Sequence, residues 1–256
     1  MNNLPELKFD STQAIRKTFL YLLAFDAFLV LGDILFNWNS LLGKGEIQLL
    51  FNITREDALA TTYSSFQAIF AGLIGLLVAL ALKAKGERKR SYGWTLLGLF
   101  FIYIGVDDAA QIHERCGTAF KTYMTQNPET FGFLTNYASY SWHLLFGGFF
   151  GSMALFILIF LWKEYPTRRR QMIYLIALGC YVLAVGMDVI EGLMGGLDHV
   201  AELFDLKASL VRHSSKVIEE FIEMFGTTLF LVSFLIHYIH EAPGLIVKFT
   251  SRNTQI

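Results

Sequence analysis

Six long apolar segments constrain this chain more than any other feature. Each holds about 20 mostly apolar residues, the length that a helix needs to cross a bilayer. Hydrophobic residues make up 54% of the 256 residues and charged residues 17%, a composition too apolar for a soluble domain of this size. The sequence therefore predicts an all-α, polytopic integral membrane bundle, one domain over residues 1–256. Its six transmembrane helices are predicted at roughly 18–37, 63–82, 92–112, 141–162, 171–192 and 217–237.

Most of the 21 Lys and Arg residues fall on one side of the predicted membrane. They precede the first segment, lie between the second and third and between the fourth and fifth, and follow the sixth. By the positive-inside rule, both termini are expected to be cytoplasmic. We expect an integral protein of a bacterial inner (plasma) membrane. The net charge of −1 argues against a nucleic-acid partner, and nothing in the sequence indicates an oligomeric state.

Acidic residues gather at the opposite, predicted outer, ends of the helices. In "VDDAAQIHERCG" (106–117), two aspartates, a histidine and a glutamate follow a run fit for the bilayer interior. Counted along each helix at 1.5 Å per residue, a polar residue of every segment comes at about the same depth. These residues are Asp33, Gln67, Asp107, His143, Asp188 and Glu223. Because lipid does not solvate such groups, we expect one polar layer inside the bundle.

The carboxylates of this layer require a neutralising partner. An ionised side chain at bilayer depth costs roughly 2.5–3.5 kcal/mol on the lenient insertion scale, so several would exceed the stability of a typical domain, about 5–15 kcal/mol. The carboxylates can be neutralised by protonation, by pairing with basic side chains or by a bound cation. Arg115, Arg212 and Lys216 are near enough to pair with some acids, but they are too few. The imbalance favours cation binding.

Histidines beside the carboxylates favour a transition metal, and we expect one or two divalent ions such as Zn, Fe or Mn. The predicted metal ligands are Asp107, His113, Glu114, His143, Asp188, Glu219 and Glu223. The predicted catalytic residues, with acid–base or supporting roles, are Asp108, Glu191 and Glu220. On a regular helix His113 would point about 120° away from Asp107. It is therefore expected to face another neighbour, unless the helix unwinds near Gly117.

Two functions of different classes fit these residues. The first is a metal-dependent membrane enzyme, a hydrolase or an oxidoreductase, that acts on a lipid or other apolar small molecule. The second is a cation- or proton-coupled transporter that uses the same acids. A structural subunit with a metal-stapled bundle is a third interpretation. Whether catalysis occurs at all is left open by the sequence.

The segments also suggest an internal repeat. The odd segments end alike, with "LGD" at Asp33, "GVD" at Asp107 and "GMD" at Asp188, and two even segments begin alike at Tyr63 and Tyr140. Three related hairpins around a common polar centre would explain this pattern. Chance similarity between apolar helices is the alternative.

Small residues and one further acid complete the predictions. Gly147 with Gly151, and Ala71 with Gly75, are spaced for close helix contact.

Asp26 falls near the middle of the first segment. It is either part of a proton relay or a hydrogen-bonded packing residue.

Overall fold

The computed structural model describes residues 11–132, 141–192 and 196–242. Every secondary-structure element in this part of the chain is a helix, and it contains no strand. The elements are α1 (Ser11–Gly32), a π-helix (Asp33–Trp38), α2 (Glu46–Phe51), α3 (Leu59–Ala84), α4 (Arg88–Ala110), α5 (Ile112–Gln126), α6 (Pro128–Phe131), α7 (Trp142–Glu164), α8 (Arg168–Gly192), α9 (Gly196–Leu203) and α10 (Ala208–Glu241).

Six of these helices are long and apolar enough to cross a membrane, as predicted. They are α1 with the π-helix, α3, α4, α7, α8 and α10. The last begins at Ala208, about two and a half turns earlier than the predicted boundary at 217. Residues 1–10 and 243–256 lie outside the described residues, as does Tyr140 of the proposed repeat. The orientation of the termini and the relation between hairpins stay predictions.

Helices α3 and α4 pack backbone to backbone. A Cβ on Gly75 would lie 3.1 Å from the Cα of Gly98, and one on Gly72 would lie 2.5 Å from the Gly98 carbonyl oxygen. Ala71 is fully buried on the same helix. The predicted close contact is therefore confirmed at Gly75, where a larger residue would force the two helices apart, while Ala71 is a buried core residue.

The second predicted contact face, on α7, is wrong. A Cβ on Gly147, Gly148 or Gly151 would meet no described atom within 4 Å. These glycines are exposed and α7 does not use them for close helix contact. Small-residue spacing alone could not distinguish a helix interface from an open face.

Helix α10 runs through the bundle beside α1, α3 and α8. Its middle is packed by aromatic rings: Phe101 of α4 lies 5.0 Å from Phe230 and 5.3 Å from Phe234, and Trp94 lies 5.2 Å from Phe234, measured between ring centroids. All four rings are at most 2% exposed. They close the centre of the bundle between its two polar ends.

One polar end, which we call the basic end, is held by ion pairs. Arg90 of α4 lies 2.8 Å from Glu164 of α7 and 2.8 Å from Glu241 of α10, and Lys85 lies 2.7 Å from Glu241. The indole Nε1 of Trp94 donates to Glu164 at 2.9 Å. These contacts fasten α4, α7 and α10 together. The opposite end, which carries Asp107 and Glu219, is the acidic end.

Candidate functional site

A cavity of about 370 Å³ opens at the acidic end, and we call it the acidic cavity. This volume lies within the range of about 300–1,000 Å³ that is common for small-molecule sites. Nine of the ten predicted site residues contribute to its wall. They are Asp107, Asp108, His113, Glu114, His143, Asp188, Glu219, Glu220 and Glu223. Glu191, one turn beyond Asp188 on α8, is not part of the lining.

A break in the helix places His113 against Asp107. Helix α4 ends at Ala110, Gln111 adopts a left-handed conformation with φ of 56°, and α5 starts at Ile112. The backbone N–H of His113 then donates to Asp107 Oδ1 at 2.9 Å, and its Nδ1 lies 2.6 Å from Asp107 Oδ2. The prediction that His113 points away from Asp107 is wrong, because the helix breaks between them and not near Gly117.

The electrostatic environment of His113 favours its charged form. Burial alone would lower the pKa of this imidazole, but the hydrogen bond and charge of Asp107, with Glu114 and Asp188 nearby, raise the pKa above its ordinary value of 6.5. A histidine next to a carboxylate can accept and release protons near neutral pH. Its ring also packs edge-on against Trp142 at 4.7 Å, which joins α5 to α7.

Asp108 faces the cavity from the next position on α4. Its Oδ2 accepts hydrogen bonds from the hydroxyl groups of Ser64, at 2.5 Å, and Ser65, at 3.0 Å, both on α3. These two donors stabilise the carboxylate and fix its position. Asp107 and Asp108 therefore have different partners, although they are adjacent in sequence.

Lys216 of α10 is the base at the centre of the acids. Its Nζ lies 2.6 Å from Glu219 Oε1, 3.6 Å from Glu220 Oε1 and 3.8 Å from Asp188 Oδ1. Glu219 is only 2% exposed, and its Oε2 and the Oδ1 of Asp188 are both buried without a hydrogen-bond donor among the described residues. The two carboxyl groups lie within hydrogen-bonding reach of each other, so one proton shared between them would satisfy both oxygens.

The other two bases considered from the sequence serve elsewhere. Arg115 Nε donates to Gln111, and Arg212 lies 3.3 Å from Asp198. Neither lines the cavity. Within the described residues, Lys216 is the only Lys or Arg in a wall that contains eight carboxylates.

Sequence reasoning missed one of these carboxylates, Glu56. It lies in the connection between α2 and α3, where no helical periodicity marks it as inward-facing, and it is half-buried in the cavity wall. Burial raises the pKa of Glu56 to about 7, and the nearby charges of Glu114 and Asp108 contribute to the rise. Its partly protonated state near neutral pH makes it a candidate proton acceptor.

Trp142 is a second residue that the predictions left out. Its ring stacks on His143 at 3.9 Å and packs against His113. It is 7% exposed and lines the cavity, yet its indole Nε1 has no hydrogen-bond partner among the described residues. Buried indole N–H groups usually find an acceptor, and the acceptor of this one lies outside the described residues.

The part of the cavity farther from the acids is apolar. It is bounded by aromatic and aliphatic side chains of four helices and ends on the aromatic centre of the bundle. Its walls include Phe101, Phe150, Ile157, Leu178, Val182 and Phe230. Carboxylates at one end and hydrocarbon at the other make the cavity amphipathic.

Two residues of the predicted polar layer lie outside this cavity. Asp33 is fully buried and pairs with His213, whose Nε2 lies 2.7 Å from Asp33 Oδ2. Gln67 donates to Asp26 at 3.4 Å and to Thr228 at 2.6 Å. These contacts give Asp26 hydrogen-bonded partners across α1, α3 and α10, as one of its two interpretations expected.

No group of three or more His, Cys, Asp or Glu side chains among residues 11–132, 141–192 and 196–242 is arranged closely enough to hold a metal ion. The predicted ligands share one cavity wall, but in this arrangement Lys216 occupies the space between Asp188, Glu219 and Glu220. The metal site stays a prediction.

Comparison with known proteins places the chain in a family. Residues 19–238 match the model of a family described as a domain of unknown function, DUF8692. No curated protein and no solved structure matches the chain. The matched region runs from α1 to the end of α10 and so includes all six spanning helices and the acidic cavity. The chain therefore belongs to the DUF8692 family.

Proposed function

We propose that the protein is a membrane-embedded, metal-dependent enzyme that acts on a lipid or other apolar substrate, with the acidic cavity as its active site. The observation that carries this proposal is the amphipathic cavity itself, which joins eight carboxylates to a hydrocarbon-lined wall. Such a space accommodates a molecule with a polar and an apolar part. A site shielded by lipid and helices also keeps bulk water away from a reaction.

The charge of the cavity supports a bound cation. Lys216 and a protonated His113 are far too few to neutralise the carboxylates, and buried unpaired charges are costly. Protonation of Glu56 relieves part of this cost, since burial raises its pKa to about 7. A divalent ion such as Zn, Fe or Mn would neutralise more, and imidazole and carboxylate ligands suit these metals.

Metal binding would require a modest rearrangement. Lys216 Nζ lies among Asp188, Glu219 and Glu220, so we propose that a metal ion displaces the ammonium group and draws these carboxylates together. The long, flexible side chain of lysine allows such a movement. In the metal-free site, Lys216 would act as the counter-ion of these carboxylates.

The residues around such an ion have the chemistry for acid–base work. His113, hydrogen-bonded to Asp107, can hold a proton near neutral pH, and Asp108 and Glu220 face the same space. A bound metal lowers the pKa of a coordinated water and polarises a substrate oxygen. A metal ion with these acid–base residues would support either hydrolysis or oxidoreduction. Glu191 has no place in the lining, so its proposed role would be indirect.

Metal analysis of the purified full chain tests the proposal. Wild-type protein should contain tightly bound Zn, Fe or Mn, and Asp188→Asn and Glu219→Gln should reduce the metal content. Glu202→Gln is the matched control, because Glu202 lies on the exposed surface of α9 and should retain the metal. A folded wild-type protein that neither retains nor binds these ions would refute the metal-dependent mechanism.

A cation- or proton-coupled transporter is the alternative, and one observation favours it. Asp26 is fully buried in the middle of the bundle and accepts hydrogen bonds from Gln67 and Thr228, so a second acidic site lies inward of the cavity. Against it, Phe101, Phe230 and other buried rings separate this region from the basic end. Metal-free protein with pH-dependent ion flux in vesicles would support the transporter.

A further inference from the structure

We infer that the acidic cavity receives its ligand sideways from the bilayer, through a gap between α7 and α8, and that this ligand is a single-chain amphiphile with a cationic amine head group. The inference rests on the proposed function only in taking the cavity as the binding site. It names the substrate class and does not depend on a metal.

Two glycines of α7 border the gap. A Cβ on Gly147 or Gly151 would meet no described atom within 4 Å, and both residues line the cavity and are exposed. Gly179 and Gly186 of α8 also have no described atom within 4 Å of an added Cβ, but neither lines the cavity. The cavity therefore reaches the outside of the bundle beside the half of α7 that is nearer the acidic end.

The two helices do meet, but nearer the basic end. Tyr174 of α8 donates from its hydroxyl group to the Leu158 carbonyl at 3.3 Å, and Gln171 donates to the Trp162 carbonyl at 3.1 Å. Toward the acidic end Val182 is 61% exposed, although it lines the cavity. Helices α7 and α8 are thus in contact near the basic end and open toward the acidic end, where the alkyl chain of a ligand can enter.

The shape of the cavity favours a single alkyl chain. Along α10 its lining runs from Lys216 to Phe230, which is on the order of 21 Å at 1.5 Å per residue. A volume of about 370 Å³ over this length is narrow. A helix of a partner protein, about 10–12 Å across, would not fit inside it. The apolar end is closed by Phe101 and Phe230, so the alkyl chain of the ligand would end against these two rings.

The polar end selects the head group. Among the described lining residues, eight carboxyl groups face a single lysine, and buried oxygens of Asp188 and Glu219 have no donor, which matches a cation that donates hydrogen bonds. A primary amine has this chemistry, and an anionic head group would be repelled. The unpartnered Nε1 of Trp142 adds a donor for an oxygen atom of the head group. The amine would then lie near the carboxylates and the chain would extend toward Phe230.

Gly151 is the position at which this inference can be tested. Gly151→Phe would place a ring in the gap and against the path of the chain, where the structure leaves open space. Gly148→Phe is the matched control, because Gly148 lies on the same helix, has the same open surroundings and is not part of the cavity lining. Any general effect of a bulky residue on α7 should appear in both variants.

The experiment is native mass spectrometry of the full chain released from nanodiscs, after treatment with a chelator, with octylamine, dodecylamine, hexadecylamine and hexadecanoate as probes. Wild-type protein should bind one hexadecylamine and exclude hexadecanoate. Gly151→Phe should weaken hexadecylamine binding by about tenfold and octylamine binding less, while Gly148→Phe binds as wild type does. Circular dichroism verifies folding, and Gly151→Leu, with Gly148→Leu as its control, replaces the larger pair if Gly151→Phe fails to fold.

Three outcomes would overturn the inference. Equal binding of hexadecanoate and hexadecylamine would refute the cationic head group. Unchanged hexadecylamine binding in Gly151→Phe would refute the lateral gap. A change of oligomer mass in Gly151→Phe, but not in Gly148→Phe, would assign the glycine face to another protein helix. Because the probes are added to metal-free protein, none of these results depends on the metal analysis.

Discussion

His113 Nδ1 lies 2.6 Å from Asp107 Oδ2 across a break in the helix at Gln111. The left-handed residue turns α5 back over the end of α4, so that a histidine six positions later contacts the aspartate twice, through its ring and through its backbone N–H. The pair forms part of the wall of the acidic cavity, so the protonation state of His113 contributes to the charge there.

Asp107→Asn should lower the pKa of His113. The carboxylate supplies the hydrogen bond and charge that raise this pKa, while burial lowers it, so loss of the charge leaves burial dominant. Nuclear magnetic resonance titration of the histidine ring measures the change. His199 is an internal control, because its side chain is 78% exposed and lies beside Glu202 instead of Asp107. An unchanged His113 titration would contradict the assigned pairing.

Helical periodicity and the cost of charge in lipid were enough to predict the six spans and most of the cavity wall. Carboxylates on α4, α8 and α10 must face inward, since lipid does not solvate them, and Asp107, Asp188 and Glu219 do so. The position of His113 could not be predicted in this way, because periodicity assumes an unbroken helix and Gln111 ends it.

Other features have no periodic signal at all. Glu56 lies in a connection, so only the fold brings it beside Asp108 and Glu114. The glycines of α7 have the spacing of a contact face, but they border open space. The pairing of Lys216 with Asp188 also depends on the packing of α8 against α10, which the sequence does not specify.

Replacement of Lys216 should destabilise the acidic end. Lys216→Met removes the one base from among Asp188, Glu219 and Glu220, and loss of one partner of a buried ion pair costs about 3–5 kcal/mol. Thermal unfolding of chelator-treated protein, followed by intrinsic fluorescence, should show a lower Tm than for Lys44→Met, a control at an exposed position.

Added Zn²⁺ or Mn²⁺ should restore part of the stability of Lys216→Met, because the ion would take the place of the ammonium group among the carboxylates. The Tm of the variant should therefore rise with metal concentration more than that of wild type. Equal Tm values for Lys216→Met and Lys44→Met would show that Lys216 does not neutralise the cavity.

Glu56 should make stability depend on pH. Its folded-state pKa is raised from 4.5 to about 7 by burial and by Glu114 and Asp108. The folded protein therefore holds this proton more tightly than the unfolded chain, and the stabilisation is complete below about pH 4.5 and lost as the pH rises through about 7.

Glu56→Gln should flatten the fall in Tm between about pH 4.5 and about pH 7, the two pKa values of the carboxyl group. Glu46→Gln, at an exposed position on α2, should keep the wild-type profile. Parallel profiles for wild type and Glu56→Gln would place the titrating group elsewhere in the protein.

The contact between α3 and α4 should tolerate no side chain at Gly98. Its Cβ would lie 2.8 Å from the Gly72 carbonyl oxygen and 2.9 Å from Leu76, and backbone cannot move away as a flexible side chain can. Gly98→Ala should therefore lower the free energy of unfolding by about 1–3 kcal/mol, the usual cost of overpacking. Gly148→Ala, in open space on α7, should leave it unchanged or raise it slightly through better helix propensity. Denaturant titration of both variants in the same detergent measures the difference, and equal stability would mean that α3 and α4 are farther apart than the structure places them.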